Sequence, residues 1–220
     1  MPRIIKKRIK NIYIRIDKYG EPFITMPYYA SESDALRFYE ENKARVDKMI
    51  ERRKSSVKGD FLAANEIWVL GKNKKLKINV GLNAGVHETD DEFIITATNG
   101  CDAEIRRLTE NYLKNKLNEI LTSYLDKWQS ATSLRSSGFS IRKTKTRWGS
   151  CNCSTGKLNF SLFLANVPPR CISYVVLHEV CHLKYANHGA GFKRMLSEYM
   201  SDWADRKKEL NDVYVGKRFE

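Results

Sequence analysis

The chain has 220 residues, 42% of them hydrophobic and 30% charged, and its 39 lysines and arginines exceed 26 acidic residues to give a net charge of +13. This is the composition of a folded globular protein, and no stretch approaches the roughly 18 uncharged apolar residues of a membrane helix. The basic start at residues 3–8 lacks the apolar core of a signal peptide, and five cysteines, an odd number, fit a reducing compartment. We therefore expect a cytoplasmic protein with no membrane partner.

The first part of the chain is predicted to form a β-hairpin and a helix. Residues 4–16 alternate basic and aliphatic side chains, and the apolar run at 23–27 supplies a second strand. Ser31 stands three positions before Asp34, a spacing typical of a helix start. Apolar residues at helical spacing then predict a helix continuing to about residue 53.

More strands are predicted at residues 66–70, 76–80 and 93–98, the first two as a hairpin with a glycine-containing turn. His87 lies between the second and third of these in a polar stretch, which indicates a solvent-facing loop. We expect residues 1–100 to form an N-terminal α+β region, composed of hairpins and one helix.

Residues 101–220 are predicted to form a catalytic domain, which could also pack with residues 1–100 as a single domain. It begins with a long amphipathic helix over 102–128. Residues 139–164 alternate in two halves, which indicates another hairpin. Its edge strand could bind an extended peptide through main-chain hydrogen bonds. Arg147 and Trp148 are candidates to line that peptide-binding cleft, although a structural tryptophan with an arginine stacked on it explains them equally well.

The residues best suited to bind a metal ion lie in the segment His178-Glu179-Val180-Cys181-His182. Positions i and i+4 of a helix share a face, so His178 and His182 can direct both imidazoles at one metal ion. Zinc accepts neutral imidazole, and catalytic zinc typically has three protein ligands and a water molecule. Glu179 can then take a proton from the zinc-bound water, its role in H-E-x-x-H metalloproteases.

The sequence around this motif favours a buried helix. Asn166 is a candidate N-cap, and Pro168 and Pro169 suit the first helical turn. Apolar residues follow at helical spacing, and Asn187 and Gly189 are expected to end the helix.

Two residues are candidates for the third metal ligand. His188 follows the predicted helix end, where a turn could bring a third imidazole towards the first two. Glu198, on the next predicted helix over 192–209, is the alternative carboxylate ligand. We favour His188, and we expect Asp202 or Asp205 to accept a hydrogen bond from one of the ligand histidines.

Several motifs occur in an order that resembles the YgjP-like family of zinc metallopeptidases, which is related to the WLM and SprT-type proteins: Arg147-Trp148-Gly149-Ser150-Cys151, the apolar stretch at 158–164, His178-Glu179-x-x-His182 and Asn187-His188. The resemblance is strongest over residues 139–200. It implies an α+β, zincin-like domain with the active-site helix beside a mainly antiparallel sheet. It also implies zinc on His178, His182 and His188, with Glu179 as general base.

These patterns predict a zinc-dependent metallohydrolase, first of all a metallopeptidase that cleaves peptides or proteins. One alternative is a metal-dependent UTP pyrophosphatase, an activity also attached to this family, although the chain has no Walker-type phosphate loop. The other is a DNA-associated, SprT-like protease or binding module, because the charge of +13 suits a nucleic-acid partner.

Overall fold

Strands and helices are mixed along the chain in an α+β arrangement. The computed structural model describes residues 2–16, 21–48, 50 and 61–213. The strands are β1 Arg3–Lys7, β2 Tyr13–Ile16, β3 Pro22–Pro27, β4 Glu66–Val69, β5 Lys72–Val80, β6 Gly85–Glu88, β7 Glu92–Ala97, β8 Gly138–Arg142, β9 Gly149–Asn152 and β10 Lys157–Ser161. The helices are α1 Glu32–Glu41, α2 Phe61–Ala64, α3 Asp102–Thr132, α4 Pro169–Cys181, α5 Ala190–Tyr199 and α6 Trp203–Val213, with a 3₁₀ helix at Leu162–Asn166. Within the described ranges, no helix has both the length and the hydropathy needed to span a bilayer.

The chain forms two compact units, Met1–Gly59 and Asp60–Glu220. In the first, β2 pairs antiparallel with β3, as the predicted hairpin requires, but the predicted 4–16 strand is two strands, and β1 pairs parallel with β3. The Oγ of Ser31 accepts a hydrogen bond from the amide of Asp34, which confirms the predicted helix start. Helix α1 ends at Glu41, with Asn42 as its C-cap, so the single helix predicted to run to about residue 53 is interrupted there; its predicted end lies outside the described residues.

The second unit contains a four-stranded sheet in the order β4-β5-β7-β6. The predicted β4–β5 hairpin is confirmed, whereas β5 and β7 run parallel. Phe93 and Ile95 of this sheet lie in the same buried core as Leu113 and Leu117 of α3. The sheet therefore shares a core with the helices that follow it, within the unit Asp60–Glu220.

His87 is exposed, as predicted, but it lies on strand β6 rather than in a loop. The adjacent Glu88 holds this strand in place through three donors. Its carboxylate lies 3.2 Å from the ammonium of buried Lys74 and 2.6 Å from that of Lys116, and it accepts a 2.9 Å hydrogen bond from the Tyr112 hydroxyl. Burial alone would raise the pKa of Glu88, but the bonds from Lys116, Tyr112 and Lys74 outweigh it and lower that pKa.

The last sheet, in the order β8-β10-β9, combines a parallel β8–β10 pair with an antiparallel β9–β10 hairpin. All three described sheets are thus mixed: the four-stranded sheet has two antiparallel pairs and one parallel pair, and each three-stranded sheet has one of each. Beside this sheet, α4 packs against the long helix α3, and the indole N–H of Trp128 donates a 3.1 Å hydrogen bond to the Ser173 hydroxyl. These contacts set the position of α4, which carries the H-E-x-x-H motif.

Candidate active site

Helix α4 is almost entirely buried, and its ends differ from those predicted. Pro168, not Asn166, is the N-cap, because Asn166 lies in the preceding 3₁₀ helix and is itself buried. The helix ends at Cys181, well before Asn187, and His182 is its C-cap. The backbone then turns, so that the chain after His182 folds back towards the helix.

This turn brings together three imidazoles. The ring centroids of His178, His182 and His188 lie 4.8 to 4.9 Å from one another, and the Nε2 atoms of His178 and His188 are 3.0 Å apart. The Phe192 ring on α5 lies 4.7 to 4.9 Å from all three. His188 is exposed and the other two are half-buried, so the cluster opens to solvent on one side.

The outer nitrogens of the two helical histidines have partners. Nδ1 of His182 lies 2.9 Å from the carbonyl oxygen of Tyr185, which can only accept, so this nitrogen donates and leaves Nε2 with a free lone pair. Nδ1 of His178 lies 3.4 Å from the Tyr174 hydroxyl. Burial, with the nearby His182 and His188, lowers the pKa of His178 to about 3, which keeps its imidazole in the neutral form that binds metals.

The outer nitrogens of His178 and His182 thus contact Tyr174 and Tyr185, whereas the sequence predicted Asp202 or Asp205 as the partner. Asp202 instead accepts a 2.9 Å hydrogen bond from Arg206, so that prediction is wrong for Asp202, and Asp205 is exposed on α6. The predicted helix over 192–209 is two helices, because the chain becomes extended at Met200 before α6 begins.

The alternative ligand Glu198 is exposed on α5. Within the described part of the chain, the side chains grouped closely enough to hold a metal ion are His178, His182 and His188, whose ligand atoms all lie within 4.8 Å of one another. Three neutral imidazoles are ligands that suit a divalent transition-metal ion.

Glu179 lies beside the first of these histidines and is only 5% exposed. Its Oε2 atom is buried without a hydrogen-bond partner in the described structure. Burial raises the pKa of Glu179 to about 8, and the positive charge of Arg147 acts in the opposite direction. A buried carboxylate with an unsatisfied oxygen is costly in a purely structural role, and it matches what a metal-assisted hydrolase requires.

A family model of the YgjP-like metallopeptidase domain matches residues 10–213. The chain belongs to the YgjP-like family. The predicted resemblance is therefore confirmed, and the chain carries a metallopeptidase domain of mixed α+β fold. This assignment agrees with a cluster of three histidines able to hold a metal.

The YgjP-like chain was also compared with curated proteins and with solved structures. No curated protein matches it. Among solved structures, it is similar to the metallopeptidase zymogen jannalysin of Methanocaldococcus jannaschii, with 23% identity and a TM-score of 0.38, over 42% of this chain and 87% of that chain. Because the score is low, this similarity does not bear on the activity of the YgjP-like chain.

The two residues predicted to line a substrate cleft have different environments. Arg147 is exposed, and its positive charge acts to lower the pKa of Glu179. Trp148 is half-buried against the core of the unit, and its carbonyl accepts a 2.8 Å hydrogen bond from the amide of Ser161. A role in substrate binding stays a prediction for both residues, and the surroundings of Trp148 also suit a structural role.

Gly149 lies closer to Glu179 than the sequence pattern predicted. A Cβ atom at Gly149 would lie 2.6 Å from Oε1 and 2.8 Å from Cγ of Glu179. The backbone of β9 therefore lies directly against the carboxylate of Glu179. An isolated glycine within a strand pattern often marks such a close approach, and this was the available signal.

We expect Gly149→Ala to displace Glu179 and to lower the free energy of unfolding by about 1–3 kcal/mol, the usual cost of overpacking a tight site. Hydrolytic activity should fall further than this loss of stability explains, because the carboxylate moves. Thermal unfolding and activity, measured on the same preparations, check this. Gly85→Ala is the control, since nothing lies within 4 Å of its added Cβ. Equal behaviour of the two variants would contradict the close contact between β9 and Glu179.

Proposed function

We propose that this chain is a zinc-dependent metallopeptidase, with His178, His182 and His188 as the zinc ligands and Glu179 as the general base. The observation that carries the proposal is the convergence of three imidazoles beside a buried carboxylate with an unpartnered oxygen. Zinc is the proposed ion because three neutral imidazoles favour it among the common divalent metals.

The residues divide the work of peptide hydrolysis. A bound zinc ion supplies Lewis acidity, which polarises a peptide carbonyl and acidifies a water molecule. Oε2 of Glu179 accepts the proton of the attacking water and later returns it to the leaving amine. Tyr185 and Tyr174 hold the outer nitrogens of His182 and His178, and thereby direct the two inner nitrogens towards the ion.

Strand β9 offers the place for the substrate backbone. It is an edge strand, since β10 is its partner in the described sheet and its other edge carries no described strand. An extended peptide can add to such an edge through main-chain hydrogen bonds. Because the backbone at Gly149 lies against Glu179, a peptide bound along β9 would pass close to the general base. Exposed Arg147, two residues before β9, would then contact the substrate.

Metal removal tests this function directly. The purified chain with bound zinc should cleave an unfolded protein substrate, with the products identified by mass spectrometry. A zinc chelator should reduce the rate at least about a hundredfold, since the ion contributes several kcal/mol of transition-state stabilisation, and added zinc should restore it. Release of pyrophosphate from UTP without any peptide cleavage would overturn the peptidase proposal in favour of nucleotide hydrolysis.

A further inference from the structure

A cavity of about 340 Å³ lies between the first turns of α3, the end of β8 and the 3₁₀ helix. Ile141 and Leu162 contribute apolar surface to it. Four cationic side chains also line it: Arg106, Arg107 and Lys114 from α3, and Lys143 just after β8. The cavity is large enough for several side chains of a bound ligand.

The charges that line this cavity are unbalanced. Among its lining residues, Glu110 is the single carboxylate, and its Oε1 lies 2.9 Å from the ammonium of Lys143. The guanidinium of Arg106 is positioned over the Phe61 ring, 5.4 Å from its centroid. A concave surface lined mainly by positive charges attracts anions and raises their local concentration.

The cavity is connected to the active site by a short basic segment. Arg147 follows Lys143 by four positions, with three residues between them, so their Cα atoms lie at most about 14 Å apart. Lys145 falls between them, and the segment is fixed to β10 by a 2.8 Å hydrogen bond from the Ser161 hydroxyl to the Thr144 carbonyl. Arg147, at its far end, stands two positions before Gly149, whose backbone lies against the Glu179 carboxylate. Positive charge therefore extends from the cavity to the general base.

We propose that this cavity is an exosite that binds an acidic segment of the polypeptide substrate, away from the bond that is cleaved. The inference rests on the proposed peptidase function and specifies its substrates as proteins with aspartate- and glutamate-rich segments. Arginine suits this ligand because its planar fork donates two parallel hydrogen bonds to a carboxylate. The apolar surface of Ile141 and Leu162 suits the methylene groups of the same side chains.

Binding to the zinc-loaded Glu179→Gln variant tests the exosite without cleavage. The probe is a fluorescent peptide rich in aspartate and glutamate, compared by anisotropy with a peptide in which these are asparagine and glutamine. The acidic peptide should bind at least about tenfold more tightly, and more weakly as salt rises. Lys114→Gln should weaken its binding about fivefold. Glu110→Gln should strengthen it, because it removes the carboxylate that competes for the cations.

Lys75→Gln is the matched control, since it removes one exposed positive charge on β5, outside the cavity. If it weakens binding as much as Lys114→Gln does, the attraction is diffuse and the exosite is refuted. Binding of tripolyphosphate or single-stranded DNA without binding of the acidic peptide would refute the proposed occupant. Circular dichroism melting confirms that each variant is folded. The binding assay requires no turnover. If the acidic peptide binds as expected but the wild-type chain cleaves no peptide, the peptidase function is refuted and the exosite is not.

Discussion

Glu179→Gln should lower kcat/KM for peptide cleavage by about a hundredfold to ten-thousandfold, the range associated with loss of a general base. Glutamine has nearly the same shape, so it fits beside Gly149, but its amide cannot accept the proton of the attacking water. Zinc content should stay unchanged, because the three imidazoles remain. Parallel kinetics and elemental analysis of wild type and variant provide the measurement.

The stability of this variant separates catalysis from folding. Glu179 is 5% exposed, and burial disfavours its charged form, so a neutral amide should leave the melting temperature unchanged or raise it. Glu92→Gln is the control for the same chemical change, because its carboxylate pairs with Lys77 at 2.6 Å on another sheet. Wild-type activity in Glu179→Gln would refute the assignment of the base.

His188→Ala should weaken zinc binding more than about a hundredfold, since loss of a ligand costs more than loss of an outer partner. His188 is exposed and lies outside the helices, so its removal should affect the metal without disturbing the core. Zinc content after purification and affinity by competition with a chelator dye are the measurements.

Glu198→Ala is the natural comparison, because Glu198 was the alternative third ligand. It is exposed on α5 and stands outside the histidine cluster, so zinc affinity should stay at the wild-type value. Loss of zinc from Glu198→Ala, together with retention in His188→Ala, would reverse the assignment of the third ligand.

The convergence of His178 and His182 could be predicted because His178 lies in the last turn of α4 and His182 is its C-cap, so the helical period still relates the two residues. The position of His188 required a turn, which asparagine and glycine indicated without specifying its path. The outer partners could not be predicted, since the Tyr185 carbonyl reaches His182 only because α4 ends at Cys181, earlier than its sequence suggests. Contact between Gly149 and Glu179, thirty positions apart, depends on how the sheet packs on α4.

The fold shows the same limit. Alternating residues correctly indicated β4, β5 and β7, but alternation does not specify partners, and the parallel β5–β7 and β8–β10 pairs were not predicted. Strand β6 was missed because its four residues include Gly85 and His87, which resemble a loop. The boundary at Gly59 depends on which apolar faces share a core, and this information lies in tertiary packing.

The short turn after α4 also determines how much conformational entropy the chain loses when His182 and His188 are brought together. The named residues of the site all lie between Arg147 and Phe192, and only five residues separate His182 from His188. The entropy lost in closing a loop grows with its length, by about 0.6 kcal/mol for each doubling. Insertions before residue 60 leave this term unchanged. An insertion between His182 and His188 increases this entropy cost, and the free energy of binding the ion should become less favourable by the same number of kcal/mol.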